Sequence, residues 1–167
     1  METFNPKLVI QIAILVKDID PVVKNWAEYL GQPVPEVVLN NPYEVTQATY
    51  KGQPCKARLK QAFFNFDNVQ MEIVSPADDL PSYWRDSLAE RGEGVHHISF
   101  HVEDGQGFRE HMEGLNMPRL QGGEYHHGRY SYYDSYDKLK VVIEALSFDD
   151  GFPQYGILNP KREERQS

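Results

Sequence analysis

With 167 residues the chain can bury a full core, as one domain or as two small modules sharing an interface. Its net charge is −8 and no basic stripe is present, which argues against a nucleic-acid reader that must neutralise phosphates. No apolar run approaches the roughly 18 residues of a membrane-crossing helix, and neither nucleic acid nor membrane is expected as a partner.

The opening residues 1–7 lack the basic and apolar regions of a signal peptide. Cys55 is the one cysteine and cannot close an internal disulfide. A cytoplasmic location is therefore expected. Cys55 itself sits in a turn-like stretch between Gly52 and Lys56 and reads as an incidental thiol. Lys161, Arg162 and Arg165, interleaved with Glu163 and Glu164, read as a solvated terminus.

In chain order, residues 9–16 alternate as a strand. Ile10, Ile12, Ile14 and Val16 face one side, and Gln11, Ala13 and Leu15 face the other. Asp20 as N-cap and Pro21 at the first helical position open a helix with Val22, Val23, Trp26, Tyr29 and Leu30 as its apolar face. Gly31 stops it. After a Pro-rich loop, strands are predicted at 45–50, 57–66 and 68–74, the last two joined by a tight turn at Phe66, Asp67 and Asn68. A linker over 77–93 carries a short helix with Tyr83, Trp84 and Leu88 on its apolar side.

A second strand–helix–strands unit follows. Residues 96–102 read as a strand, and Asp104 caps a helix that turns Phe108, Met112 and Leu115 inward before Pro118. Strands are predicted near 119–121, 129–134 and 139–146. The residues from Gly122 to Gly128 read as a flexible polar loop able to act as a lid. His101 lies on the same strand face as His97 and Ser99 and could line a rim. Tyr130, Tyr132, Tyr133 and Tyr136 read as packing for a sheet and its edge. Past residue 147 the chain is turn-rich and then charged, and partial mobility is expected.

The two halves look like copies of one βαβββ plan. The first strands align with an offset of 86 residues (11 to 97), and the last strands with one of 72 (72 to 144). That alignment matches Gln11 with His97, and Glu72 with Glu144, all within apolar strands. Burying an ionised carboxylate without a partner is expensive, and here the expense is repeated in both halves. A divalent cation would satisfy the four side chains together. One imidazole among oxygen donors suits Zn²⁺, Ni²⁺, Co²⁺ or Mn²⁺ with coordination positions left open. It suits neither a closed cysteine-rich zinc site nor the two-histidine iron site of oxygenases.

Gln11 in Ile10-Gln11-Ile12, Glu72 in Met71-Glu72-Ile73-Val74-Ser75-Pro76, the segment Val95-His96-His97-Ile98 and Val142-Ile143-Glu144 resemble the vicinal oxygen chelate superfamily. Within it the chain is most similar to methylmalonyl-CoA epimerases, with glyoxalase close behind. The resemblance implies an α+β fold, with two βαβββ modules forming a curved, mostly antiparallel sheet around a metal-binding cavity. It implies one such domain over 1–167: module one about 8–76, the linker helix within 77–93, module two about 94–147 and a tail at 148–167. It also implies metal ligation by Gln11, Glu72, His97 and Glu144, with Glu144 as the catalytic base that takes an α-proton while the metal stabilises an enolate. A small-molecule substrate, an acyl-CoA thioester among the options, and a homodimer are implied too. Three features depart from the epimerase pattern, one being that Tyr133-Asp134-Ser135-Tyr136-Asp137 replaces the family's Phe-x-His-Pro-Lys turn before the last strand. Gln11 stands where epimerases usually carry histidine, a trait of some glyoxalases, and Lys60 or Gln61 stands where their second base would be. A glyoxalase-type lactoylglutathione lyase and a non-catalytic small-ligand binder of the same fold are the alternatives.

Overall fold

The computed structural model describes residues 8–149. The expected tail therefore lies, past Asp149, outside the described residues, as do residues 1–7. Module one opens with β1 (Val9–Leu15) and α1 (Ile19–Leu30), then β2 (Val38–Leu39), the one-turn α2 (Tyr43–Thr46), and the short strands β3 (Thr49–Tyr50) and β4 (Gln53–Pro54). The hairpin β5 (Leu59–Asn65) and β6 (Gln70–Pro76) and the linker helix α3 (Tyr83–Arg91) follow. Module two holds β7 (Gly94–His101), α4 (Gly105–Gly114), β8 (Arg119–Tyr125), β9 (Gly128–Tyr133), the one-turn α5 (Tyr136–Leu139) and β10 (Val142–Phe148).

Among the described residues the strands form one ten-stranded sheet in the order β2-β5-β6-β1-β7-β10-β9-β8-β3-β4. It curls into a half-barrel of mixed, mostly antiparallel pairing, the fold class expected. Only β1 with β6 and β7 with β10 run parallel. The antiparallel seam between β1 and β7 joins the halves and puts Gln11 opposite Ser99. The register supports the duplication: Gln11 pairs with Gln70 in one half as His97 pairs with Val142 in the other. Ala13 pairs with Glu72 as Ser99 pairs with Glu144.

Alternation divides each strand between two faces. On the outer face, Val16, Ile19, Val23 and Ala27 pack α1 onto Ala62, Phe64, Met71 and Ile73. Phe108 and Met112 of α4 do the same over Met117, Tyr133 and Ala145. The inner face gathers Leu15, Leu59, Val74, Tyr132 and Val142, closed at one end by Tyr83 and Trp84 of α3.

Four local expectations are corrected. Helix α1 starts two residues earlier than predicted, because the Asp18 carboxylate accepts the Asp20 N–H. Pro21 then falls inside the first turn, where no N–H is needed. Leu115 is exposed at the end of α4, and Met117 fills the place expected for it. The strand predicted at 45–50 is instead the turn α2 followed by two strand residues, and these pair with β8 of module two. Pro42 has no N–H for a strand ladder and starts α2, while β2 takes the edge of β5. Finally, residues 122–125 are not loop but the end of β8, and the hairpin turns at His126 and His127. The Tyr125 hydroxyl ties this hairpin down by donating to the Ser147 carbonyl at 2.9 Å.

The crossing segment is admitted by Gly123. A Cβ there would lie 2.8 Å from the Thr46 carbonyl oxygen and 2.9 Å from Ala48 Cβ. Gly123→Ala is therefore expected to lower stability by about 1–3 kcal/mol, the usual cost of overpacking. Urea unfolding reads this as a lower midpoint. An unchanged midpoint would mean the crossing segment is not seated against β8.

Candidate metal centre

The inner face of the four central strands carries the polar side chains that the duplication matched. Gln11 comes from β1, Glu72 from β6, His97 from β7 and Glu144 from β10. All are buried: His97 is 0% exposed and the two carboxylates 3% each. His97 Nε2 lies 3.4 Å from Glu72 Oε2 and 3.3 Å from Glu144 Oε2. Gln11 joins through Ser99, whose Oγ is 3.1 Å from Gln11 Oε1 and also donates to Glu144 Oε2. Three of the four thus meet at one point, and the fourth is one hydroxyl away.

Neighbouring amides fix this arrangement. Gln61 Nε2 donates to Glu72 Oε1 at 2.6 Å, so the residue at the missing second-base position is engaged in holding a carboxylate. Lys60 points to solvent. Gln11 Nε2 donates to Gln70 Oε1 at 2.8 Å, and Gln70 Nε2 donates to Asn65 Oδ1 at 2.8 Å. The amide oxygen of Gln11 is thereby aimed at Ser99 and the centre.

His97 is presented by an irregularity in the seam. Ala13 pairs with His97 but Ile14 with Val95, which leaves His96 as an extra, bulged residue. Strict alternation would put the two imidazoles on opposite faces. The bulge instead turns both inward, with their Nδ1 atoms 2.9 Å apart and both rings against Tyr132.

Two observations test whether these residues fit a cation. First, His97 Nε2 is buried and has no aligned hydrogen bond, although two carboxylate oxygens flank it. Ligand bonds of about 2.1 Å separate adjacent donors by about 3.0 Å in an octahedron and about 3.4 Å in a tetrahedron, a range that holds both distances from His97 Nε2, although among the described residues no group of three His, Cys, Asp or Glu side chains stands ready to hold a metal ion. Second, Ser99 has one hydroxyl proton for two oxygens, and an ionised carboxylate and an amide oxygen can only accept. One acceptor is therefore left without a proton. In the metal-free protein His97 faces the two carboxylates. Burial alone would discharge the ring, but Glu144 and then Glu72 outweigh it and push its pKa up to about 9. His96 moves the other way, held well below the usual histidine range by burial and by the charges of His97 and Arg91.

Ser99, Gln61, Gln70 and Tyr132 were not singled out from the sequence as parts of a site. The duplication held the only available signal, since Ser99 occupies in β7 the place of Ala13 in β1. His101 lies toward the rim with its ring against Phe148 at 5.6 Å. Cys55 is buried directly after β4, its Sγ 3.5 Å from the Pro81 carbonyl oxygen.

The family model described as Glyoxalase/Bleomycin resistance protein/Dioxygenase superfamily matches residues 10–133. The chain belongs to this superfamily, the vicinal oxygen chelate group that its motifs resemble. Among solved structures it is similar to a methylmalonyl-CoA epimerase in complex with methylmalonyl-CoA and NH4+, at 20% identity and a TM-score of 0.59, over 89% of this chain and 100% of that one. A Streptomyces coelicolor methylmalonyl-CoA epimerase in complex with 2-nitronate-propionyl-CoA matches at 20% identity and a TM-score of 0.60, over 89% and 99%. The Mycobacterium tuberculosis methylmalonyl-CoA epimerase matches at 17% identity and 0.58, over 92% and 94%. At these identities the likeness establishes a shared fold. No curated protein matches the sequence.

The charge on His97 makes a pH prediction for metal-free protein. Its folded pKa of about 9 lies above the ordinary 6.5, so its stabilising contribution is complete below about 6.5 and is lost as pH rises through about 9. Urea midpoints measured with a chelator present are expected to fall across that window, and His97→Asn should flatten the fall. A midpoint that rises over the same range would contradict the charged imidazole.

Proposed function

We propose that the protein is a metal-dependent epimerase or isomerase that removes a proton from a carbon next to a carbonyl, with an acyl-CoA thioester as the leading substrate class. The observation that carries this reading is the meeting of Glu72, His97 and Glu144 at one buried point beside Gln11 and Ser99. Gln11, Glu72, His97 and Glu144 would hold the cation, one of Zn²⁺, Ni²⁺, Co²⁺ or Mn²⁺. When bound, it supplies Lewis-acid stabilisation of negative charge on substrate oxygens.

The residues around that point have separable tasks. Glu72 is pinned by Gln61 and is suited to remain a ligand throughout. Glu144 is the choice of base: its Oε2 receives the Ser99 hydroxyl, which orients the carboxylate and can follow a change in its charge by rotating toward Gln11. Water is kept from this carboxylate by Tyr132, which pairs across from it in β9. A homodimer and a cytoplasmic location belong to the same reading; among the described residues no helix is long and apolar enough to cross a membrane.

Gln11 favours a second reading, a glyoxalase-type lyase acting on a thiol–ketoaldehyde adduct, because an amide takes the place that histidine holds in most epimerases. A chain whose Gln61 is committed to Glu72 also lacks the second base of two-base epimerisation.

Solvent deuterium incorporation at the α-carbon of acyl-CoA thioesters decides the class. Metal-dependent exchange is expected with wild-type protein, and Glu144→Gln should slow it by about 10²–10⁴-fold, the usual contribution of a general base. Turnover of a hemithioacetal without exchange into thioesters would favour the lyase. Absence of both activities in metal-loaded protein would overturn the enzymatic reading. Separately, Glu72→Ala is expected to lose bound metal in elemental analysis of purified protein. Retention of a full equivalent would remove Glu72 from the ligand set.

A further inference from the structure

We propose that His96 is a positioning residue: it accepts a hydrogen bond from His97 Nδ1 and so holds the His97 ring with Nε2 turned toward Glu72 and Glu144. Its consequence for metal affinity and the direction of the hydrogen bond rest on the metal reading above; the hydrogen bond between the two rings does not.

The two Nδ1 atoms are 2.9 Å apart, so one proton lies between them and one ring must accept. A neutral imidazole that offers the Nε2 lone pair to a cation keeps its proton on Nδ1, which makes His97 the donor. His96 then carries its own proton on Nε2, 3.0 Å from Ser87 Oγ, which accepts it. Arg91 Nη2 donates to the same oxygen, and a guanidinium can only donate. Arg91 is steadied in turn by the Tyr136 ring, 4.2 Å below its guanidinium carbon. The chain of contacts therefore runs from the buried centre through His96 and Ser87 to Arg91, at a surface cleft of about 160 Å³ that all three help to line.

The geometry is specific to ring nitrogens and not only to ring volume. Tyr83 and Tyr132 meet His96 edge-on at 5.6 and 5.9 Å and fix its plane, so both nitrogens point along the chain of contacts. A residue present only to fill this space would be replaceable by phenylalanine. A residue that holds a ligand through a hydrogen bond would not, and such partners are typically worth about 10–100-fold in metal affinity.

The test compares wild type, His96→Phe and His96→Asn. The asparagine side-chain oxygen can accept where Nδ1 does, whereas phenylalanine cannot. Nitrogen-15 spectra of the ring nitrogens, taken on metal-free and Zn²⁺-loaded protein, report any scalar coupling carried across the hydrogen bond between His96 and His97. Competition with a chelating dye gives the Zn²⁺ affinity, and thermal melting of metal-free protein reports folding. Expected are a nitrogen–nitrogen coupling in wild type, about 10–100-fold weaker Zn²⁺ binding in His96→Phe, and recovery of most of that loss in His96→Asn. No coupling in folded wild type, or a folded His96→Phe that binds Zn²⁺ like wild type, would overturn the proposal. Should His96→Phe fail to fold, the wild-type coupling and His96→Asn decide. Coupling in a wild-type protein that takes up no Zn²⁺ would leave the hydrogen bond standing and overturn the metal reading instead.

Discussion

Two carboxylates buried against one imidazole are the constraint around which this chain is organised. Glu72 and Glu144 are nearly inaccessible to water, and two ionised carboxylates here would exceed what a single protonated His97 can offset. Removing such charges from water costs several kcal/mol per ion unless hydrogen bonds and counter-charges replace the lost solvation. The surrounding amides do part of this. Gln61 serves Glu72 directly, while Gln70 holds Gln11 so that its oxygen, not its nitrogen, faces Ser99. What these neutral groups cannot supply is the remaining positive charge. A divalent cation, as proposed, would match that deficit in charge and in donor type.

The sheet topology explains how one point can be reached from both halves. Parallel pairing of β1 with β6, and of β7 with β10, brings the first and last strands of each module side by side. The antiparallel seam between β1 and β7 then relates the halves by an approximate two-fold axis. Any residue near that axis has its repeat partner close by. This is why aligning the short strands of the two halves matches Gln11 with His97 and Glu72 with Glu144, side chains that the sheet places on its inner face. Period-two alternation also assigned the helix-covered face correctly for Ile14 and Val16.

What escaped the sequence did so for identifiable reasons. Alternation assumes an unbroken ladder, so the bulge at His96 and the inward turn of its ring could not be read from it. The crossing of β3 to β8 is a two-residue pairing between residues 71 and 73 positions apart, and no local pattern encodes a partner at that distance. Its only trace is the pair Gly122 and Gly123, which reads equally well as a loop. Ser99 and Gln61 are small or polar residues on strands where a single such residue has many explanations. They acquire meaning only beside the carboxylates they touch.

The duplicated plan is also broken in a way that gives the two carboxylates unequal surroundings. Across the strand ladder, Glu72 faces Phe63 and Glu144 faces Tyr132, an aromatic ring in each half. Tyr132 is buried beneath Trp84 and Tyr83 of α3, and the strands β3 and β4 extend the sheet beyond β8 on that side. Phe63 has no such cover: it is half-buried, as are Gln61 and Asn65 on the same inner face of β5. The linker helix thus covers the half that holds Tyr132. The two carboxylates are equally buried but differently held: Glu72 by the amide of Gln61, beside the half-buried face of β5, and Glu144 by the rotatable hydroxyl of Ser99, across from Tyr132.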